Sequence, residues 1–142
     1  MNKDLKSLII MLKAYQGVTN HIKLSLQDSK LSLNEFAALE ALYVKKSLTT
    51  QELIDTVLIP NSSMSHVIKT LANKDYLYRK KDQADRRIQY LALTEKGKKL
   101  FSKVYDKHYK HMRKLFDILT PEEEKNMQNA LRKLGKHAMS VL

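Results

Sequence analysis

The 142-residue chain has no cysteine, only three glycines and two prolines, and no long apolar run. The absence of cysteine excludes disulfides, thiolate metal sites and thiol-based redox sensing. It also removes one class of nucleophile. There is no Gly-rich phosphate loop, and no Ser-His-Asp order stands in a fitting context. The expectation is therefore a non-enzyme that needs no cofactor. The apolar stretch Leu8 to Leu12 is stopped by Lys13. It is too short for a signal-peptide core or a membrane span, so a cytoplasmic chain with no membrane partner is expected. With few helix breakers, 43% hydrophobic and 29% charged residues, the composition is that of a helix-rich globular domain.

Acidic residues are also scarce in one place. From Pro60 to Lys103 there are eleven basic and four acidic residues, a net of +7 out of a total of +11. The stretch before it is nearly neutral at +1, and the stretch after it carries +3. A positive field confined to the middle of a chain points to a polyanionic partner, either nucleic acid or an anionic membrane surface. A membrane-surface role would need those charges on an amphipathic helix. As shown below, they fall on a predicted hairpin, which favours nucleic acid.

Leu5, Leu8, Leu12, Tyr15, Ile22 and Leu26, with Thr19 filling the one gap, recur at alternating three- and four-residue steps, predicting a long amphipathic first helix. Three later helix starts carry a hydroxyl residue followed three positions on by Glu: Ser32 with Glu35, Thr49 with Glu52, and Thr120 with Glu123. Such pairs cap otherwise unpaired backbone amides. Pro121 strengthens the last start, and Leu48 with Leu53 stands at staple spacing around the second. Helices are thus predicted from about Leu33 to Val44 and from about Thr50 to Val57.

Another short helix follows the turn at Ile59, Pro60 and Asn61. Met64, Val67, Ile68 and Leu71 would face inward, and Ser62, Ser63, Ser65, His66, Lys69 and Thr70 outward. Two short helices joined by a tight turn, the second polar on its outer face, form a helix-turn-helix candidate. After Asp75 the period changes. Tyr76 to Lys81 and Ile88 to Leu93 read as two strands of a hairpin with a charged tip. Thr94 then caps a long helix with the stripe Leu100, Val104, His108, His111 and Leu115, ending near Leu119. The last helix carries Met127, Leu131, Leu134, Ala138 and Val141. No repeat, low-complexity segment or Pro/Gly linker interrupts the order, so residues 1–142 are expected to form a single domain.

This order of elements resembles the MarR family of bacterial regulators over nearly the whole chain. The most specific part is the run Asp85-Arg86-Arg87-Ile88-Gln89-Tyr90-Leu91-Ala92-Leu93-Thr94-Glu95-Lys96-Gly97. It is similar to the family's wing signature: Asp, any residue, Arg, a strand, then Leu-Thr and a nearby Gly. One departure is Asp75, where the family commonly has Gly; Asp tolerates the left-handed backbone better than most residues.

The resemblance implies a mainly α (α+β) winged helix-turn-helix fold with one β-hairpin wing. It assigns residues 32–99 to the DNA-binding module, and 1–31 and 100–142 to helices that dimerise. It further implies a regulator, commonly a repressor, that binds double-stranded DNA as a homodimer on an inverted repeat. Arg87 would enter the minor groove, where narrow walls concentrate negative potential, and Asp85 would brace it. Ser62, Ser63, Ser65, His66, Lys69 and Thr70 would face the major groove, and Lys80, Lys81 and Arg86 would position the duplex. On the residues alone, Asp85 and Arg87 could equally be an ordinary surface ion pair. A non-specific architectural DNA-binding protein is the alternative reading of the charge.

Many members of the family bind small, often aromatic, ligands between the dimer helices and the DNA-binding module. Tyr15, His21, Phe36 and Tyr43 fall near that region, as ligand contacts or as core and boundary residues. Tyr15 stands where peroxide-sensing relatives place a reactive cysteine, so that chemistry is absent. His108 and His111 have a spacing that can chelate a metal. No acidic cluster accompanies them, so a polar patch is the alternative and no metal is assigned.

Overall fold

The computed structural model describes residues 4–57 and 64–142. Along those residues the elements are α1 (Lys6–Leu26), a 3-10 turn (Gln27–Ser29), α2 (Leu33–Lys45), β1 (Leu48–Thr49), α3 (Thr50–Thr56), α4 (Met64–Asn73), β2 (Leu77–Lys81), β3 (Gln89–Leu93), α5 (Glu95–Phe116) and α6 (Pro121–Ser140). This is the mainly helical winged helix-turn-helix fold expected from the sequence. The predicted turn at Ile59, Pro60 and Asn61 lies outside the described residues.

All three predicted capping boxes form. The hydroxyls of Ser32, Thr49 and Thr120 each accept the backbone N–H of the Glu three residues on, and each Glu carboxylate returns to the cap N–H. Every helix so started has two of its orphan donors satisfied.

The core lies between α2, α3, α4, the sheet and the first half of α5. Leu26 at the end of α1, with Leu39, Leu42, Leu53, Ile68, Leu71 and Leu91, are its largest fully buried side chains. On α4 the predicted inner face, Met64, Val67, Ile68 and Leu71, is buried as the helical period requires.

The hairpin holds the register Leu77 opposite Leu93 through Lys81 opposite Gln89. A third strand was not expected. Leu48 and Thr49 add to the far edge of β3 opposite Leu91 and Tyr90, giving the order β1-β3-β2. Two residues carry no readable period, and Thr49 was accounted for as a helix cap, which it also is.

Other boundaries move slightly. The strands begin one residue later than predicted, and α5 stops at Phe116 rather than near Leu119. Arg113 of α5 forks onto Asp117 in the connection and Glu124 of α6, fixing the corner between the two helices.

The ends of the chain are different. The first half of the α1 stripe, including Leu5, Leu8 and Leu12, is exposed, and α6 has no buried residue in the single chain. No helix among the described residues is long and apolar enough to cross a membrane.

Candidate nucleic-acid interface

The wing is built from its base. α4 ends in a left-handed residue, Asp75 at φ 64°. The N–H of Tyr76 donates to the carbonyl of Leu71 at 2.9 Å, and that of Asp75 to Ala72 at 3.0 Å. This is the paired bonding of a Schellman cap, for which glycine is the usual residue. The departure from the family pattern is thus accommodated in the backbone it was expected to adopt.

The same turn is tied to the start of α5. Thr94 Oγ1 donates to the carbonyl of Asp75 at 2.6 Å and accepts the N–H of Gly97 at 3.0 Å. The Thr94 N–H donates to the carbonyl of Tyr76 at 3.1 Å, and Lys96 Nζ reaches the carbonyl of Lys74 at 3.1 Å. A Cβ on Gly97 would lie 2.0 Å from the Tyr76 carbonyl oxygen, so only glycine permits this approach. The Leu-Thr and Gly of the wing signature therefore clasp both ends of the hairpin to α5.

At the tip, Asp82 Oδ2 accepts the N–H groups of Ala84 at 3.1 Å and Asp85 at 2.8 Å. Asp85 Oδ1 accepts the backbone N–H of Arg87 at 3.0 Å. It also takes Nε of the Arg87 side chain at 3.0 Å, while Oδ2 takes Nη2 at 3.1 Å. The guanidinium is held in a two-point fork yet its side chain is 91% exposed. The hydrogen bonds from Arg87 hold the Asp85 carboxyl below its ordinary range, and Asp85 raises the guanidinium further. The tip is a charged arginine projected into solvent with its direction set by a carboxylate.

Arg86 is exposed beside it, and Lys80 and Lys81 are exposed on β2. On α4, Ser65, His66 and Lys69 are exposed, whereas Thr70 is half-buried. Ser62 and Ser63 lie outside the described residues. Asp82 was not singled out from the sequence as a site residue. A side-chain acceptor followed by a short polar loop is the signal that could have found it.

The residues considered for a ligand are not gathered in one place. Phe36 is buried, its ring 4.8 Å from that of His108 and 5.5 Å from that of Phe101. It lines a cavity of about 390 Å³ with Ile22 of α1, Glu40 and Lys45 of α2, Thr56 of α3 and His108 of α5. Burial raises the Glu40 carboxyl. Burial, then the charge of His111, lowers the His108 imidazole. Tyr43 packs on Phe101 and lines other cavities. Tyr15 is 70% exposed on α1.

His21 meets His111 ring to ring, Nδ1 to Nε2 at 2.9 Å, and His108 Nδ1 lies 2.8 Å from Ser25 Oγ. The two α5 histidines thus face different partners on α1. No group of three or more His, Cys, Asp or Glu among the described residues is placed to hold a metal ion. Glu40, Lys45 and Ser25 were missed from sequence because isolated polar residues on helices carry no motif.

A helix-turn-helix followed by a clasped wing with an arginine tip defines the winged helix-turn-helix transcriptional regulators. Comparisons with known proteins narrow the class. The family model for the transcriptional regulator SarA/Rot matches residues 20–104. The HTH-type transcriptional regulator MhqR of Bacillus subtilis is 30% identical over 136 residues, covering 96% of this chain and 94% of that protein. Among solved structures, the MarR family transcriptional regulator AbsC of Streptomyces coelicolor superposes with a TM-score of 0.86 at 23% identity, covering 99% of this chain and 98% of AbsC. BpsR of Bordetella bronchiseptica, whose DNA binding is regulated by 6-hydroxynicotinic acid, gives 0.81 at 24% identity, covering 95% of this chain and 96% of BpsR. The chain belongs to the SarA/Rot family of transcriptional regulators, and its fold is that of the MarR family regulators.

Proposed function

We propose that the protein is a repressor that binds an inverted-repeat operator as a homodimer and is released by a small aromatic ligand. The observation that carries the DNA-binding part is the wing tip: a guanidinium 91% exposed yet held at two points by Asp85. An arginine with no role beyond an intrachain ion pair gains little from such exposure. One that enters a minor groove loses less conformational freedom when it is already aimed. Ser62, Ser63, Ser65, His66, Lys69 and Thr70 supply the major-groove contacts, and Lys80, Lys81 and Arg86 hold phosphates.

Two further observations support the rest. A 20-residue helix with no buried residue gains little from its apolar positions in the single chain, whereas most helical stability in proteins comes from packing an apolar face. Burying Leu131 and Leu134 of α6 and Val141 just past its end, together with Leu5 just before α1 and Leu8 and Leu12 on it, against a second copy removes that deficit. The division into a DNA-binding module at 32–99 and dimerising ends follows. The cavity beside Phe36 has walls from both divisions, so a ligand there acts on the disposition of α3 relative to α1 and α5. BpsR provides the precedent for aromatic-acid control.

The test is selection of bound duplexes from a random pool, then titration of the selected site with a purified dimer. An inverted repeat preferred by about 10³-fold or more over random DNA is expected. Uniform affinity across sequences would instead establish a non-specific architectural protein.

A further inference from the structure

A second cavity, of about 670 Å³, lies at the base of the wing, away from the arginine tip. Leu42, Ala92 and Leu93 give it an aliphatic lining, and Tyr43 and Tyr78 add aromatic rings. Lys46, Lys98, Lys99 and Lys103 line it, and no acidic side chain does. Lys98 is paired with Glu95 at 3.3 Å. Among the described residues Lys46, Lys99 and Lys103 have no carboxylate within salt-bridge distance.

Lys99 and Lys103 are four apart on α5, a like-charge spacing that destabilises a helix unless something between the charges relieves it. A concave site with low-dielectric walls and one sign of charge focuses its field on an anion. Its volume is in the range of small-molecule sites, too small for a folded partner.

The donor set restricts the ligand further. The cleft has lysines and no arginine, so it offers point charges and not the planar fork that matches a single carboxylate. Compact, multiply charged oxyanions such as phosphate and pyrophosphate suit three lysines that line one cleft without a carboxylate partner. The tyrosines suit a flat ring, since aromatic faces stack on any planar base.

We propose that this cleft binds a phosphorylated aromatic compound of nucleotide size, with its phosphates on Lys46, Lys99 and Lys103 and its ring against Tyr78. The ligand would bridge α2, the wing strands and α5. It is separate from the cavity beside Phe36, and the proposal does not depend on aromatic-ligand release there.

The probe is ADP, titrated calorimetrically into the full chain at low salt, with pyrophosphate and adenosine as its two halves. ADP is expected to bind once per chain, more tightly than either half. Lys99→Glu with Lys103→Glu is expected to weaken it roughly tenfold or more, as is the milder Lys99→Gln with Lys103→Gln to a lesser degree. Tyr78→Ala is expected to weaken ADP and leave pyrophosphate unchanged, and Arg87→Ala to leave ADP unchanged.

No ADP binding by about 1 mM would overturn the proposal, as would pyrophosphate binding as tightly as ADP. So would displacement of ADP by duplex DNA together with loss of DNA affinity in the lysine variants equal to that of Arg87→Ala. That last result would make the cleft part of the DNA track.

Discussion

Replacing Gly97 by alanine tests the clasp at the wing base. The three glycines of this chain all lie in helices, yet their surroundings differ. At Gly97 a new Cβ would sit 2.0 Å from the carbonyl oxygen and 2.9 Å from the carbonyl carbon of Tyr76. At Gly17 and Gly135 it would meet nothing within 4 Å. Alanine in a helix interior is favoured over glycine by about 1 kcal/mol, so Gly17→Ala and Gly135→Ala should stabilise by up to that amount. At Gly97 the neighbour is backbone and must move by an ångström or more. Overpacking of this kind costs about 1–3 kcal/mol or more. Moving the Tyr76 carbonyl also weakens the 3.1 Å bond it accepts from Thr94, worth about 1 kcal/mol. After subtracting the helix-propensity gain, Gly97→Ala should destabilise by about 1–3 kcal/mol. That corresponds to a fall of roughly 3–10 °C in Tm. Urea denaturation at fixed protein concentration, followed by circular dichroism, measures all three variants side by side, since the stability of any oligomer depends on concentration. Equal or greater stability of Gly97→Ala would refute the close approach of α5 to the hairpin. A destabilised Gly17→Ala or Gly135→Ala would mean that a partner backbone fills the space left open in the single chain.

The remaining predictions concern the tip, a cap and an imidazole. Arg87→Ala should weaken operator binding roughly 10- to 100-fold in a mobility-shift titration while sedimentation shows an unchanged oligomer. Asp85→Asn, which keeps an acceptor but loses the charged fork, should weaken binding less than Arg87→Ala does; unchanged affinity in both would remove the wing from the interface. Thr49→Ala should cost about 1 kcal/mol by loss of the cap, and Thr49→Ser should recover most of it in the same denaturation assay. The folded state holds His108 below its ordinary pKa of 6.5, so the unfolded chain takes up this proton first on acidification. The contribution of His108 is present above about pH 6.5 and is lost as the pH falls toward the lowered folded value. Urea midpoints should therefore drop between pH 7 and pH 5.5, and less steeply in His108→Gln; identical slopes would show that other groups control the acid limb.

What could be read from the sequence follows from how locally each feature is encoded. Capping boxes are contained within four residues, and all three form. The inner face of α4 needs only the helical period. The Asp85 to Gly97 run was legible as a signature, but its reason was not. Gly97 is required by the Tyr76 carbonyl, twenty-one positions away, and Thr94 by the carbonyl of Asp75, nineteen away. Those contacts exist only once the hairpin closes. β1 escaped notice because two residues cannot display a two-residue period. The pairing of His21 with His111 crosses ninety positions, and no spacing rule connects residues so distant. The ligand candidates illustrate the same limit: Phe36 and Tyr43 are close in sequence on one helix, yet line different cavities.

α5 links these observations. Its first turn carries Thr94 and Gly97, which fix the hairpin base. Its middle presents His108 to the cavity beside Phe36 and to Ser25 of α1. Its last turn carries Arg113, bound to Glu124 at the start of α6. A helix of 22 residues resists bending far more than loops do, so a displacement at any of these levels moves the others. The hairpin contributes no flexible joint of its own at the base, because both of its ends are bonded into the same clasp. A change in the packing of α5 on α1 is therefore expected to reach Arg87 as a change in aim, through the bonds of the clasp. The tip itself is held by Asp82 and Asp85 independently of α5, which separates the shape of the wing end from its direction. Substitutions at Asp82 or Asp85 should alter affinity at every ligand concentration, whereas substitutions at Thr94 or Gly97 should alter how strongly the distant helices influence binding.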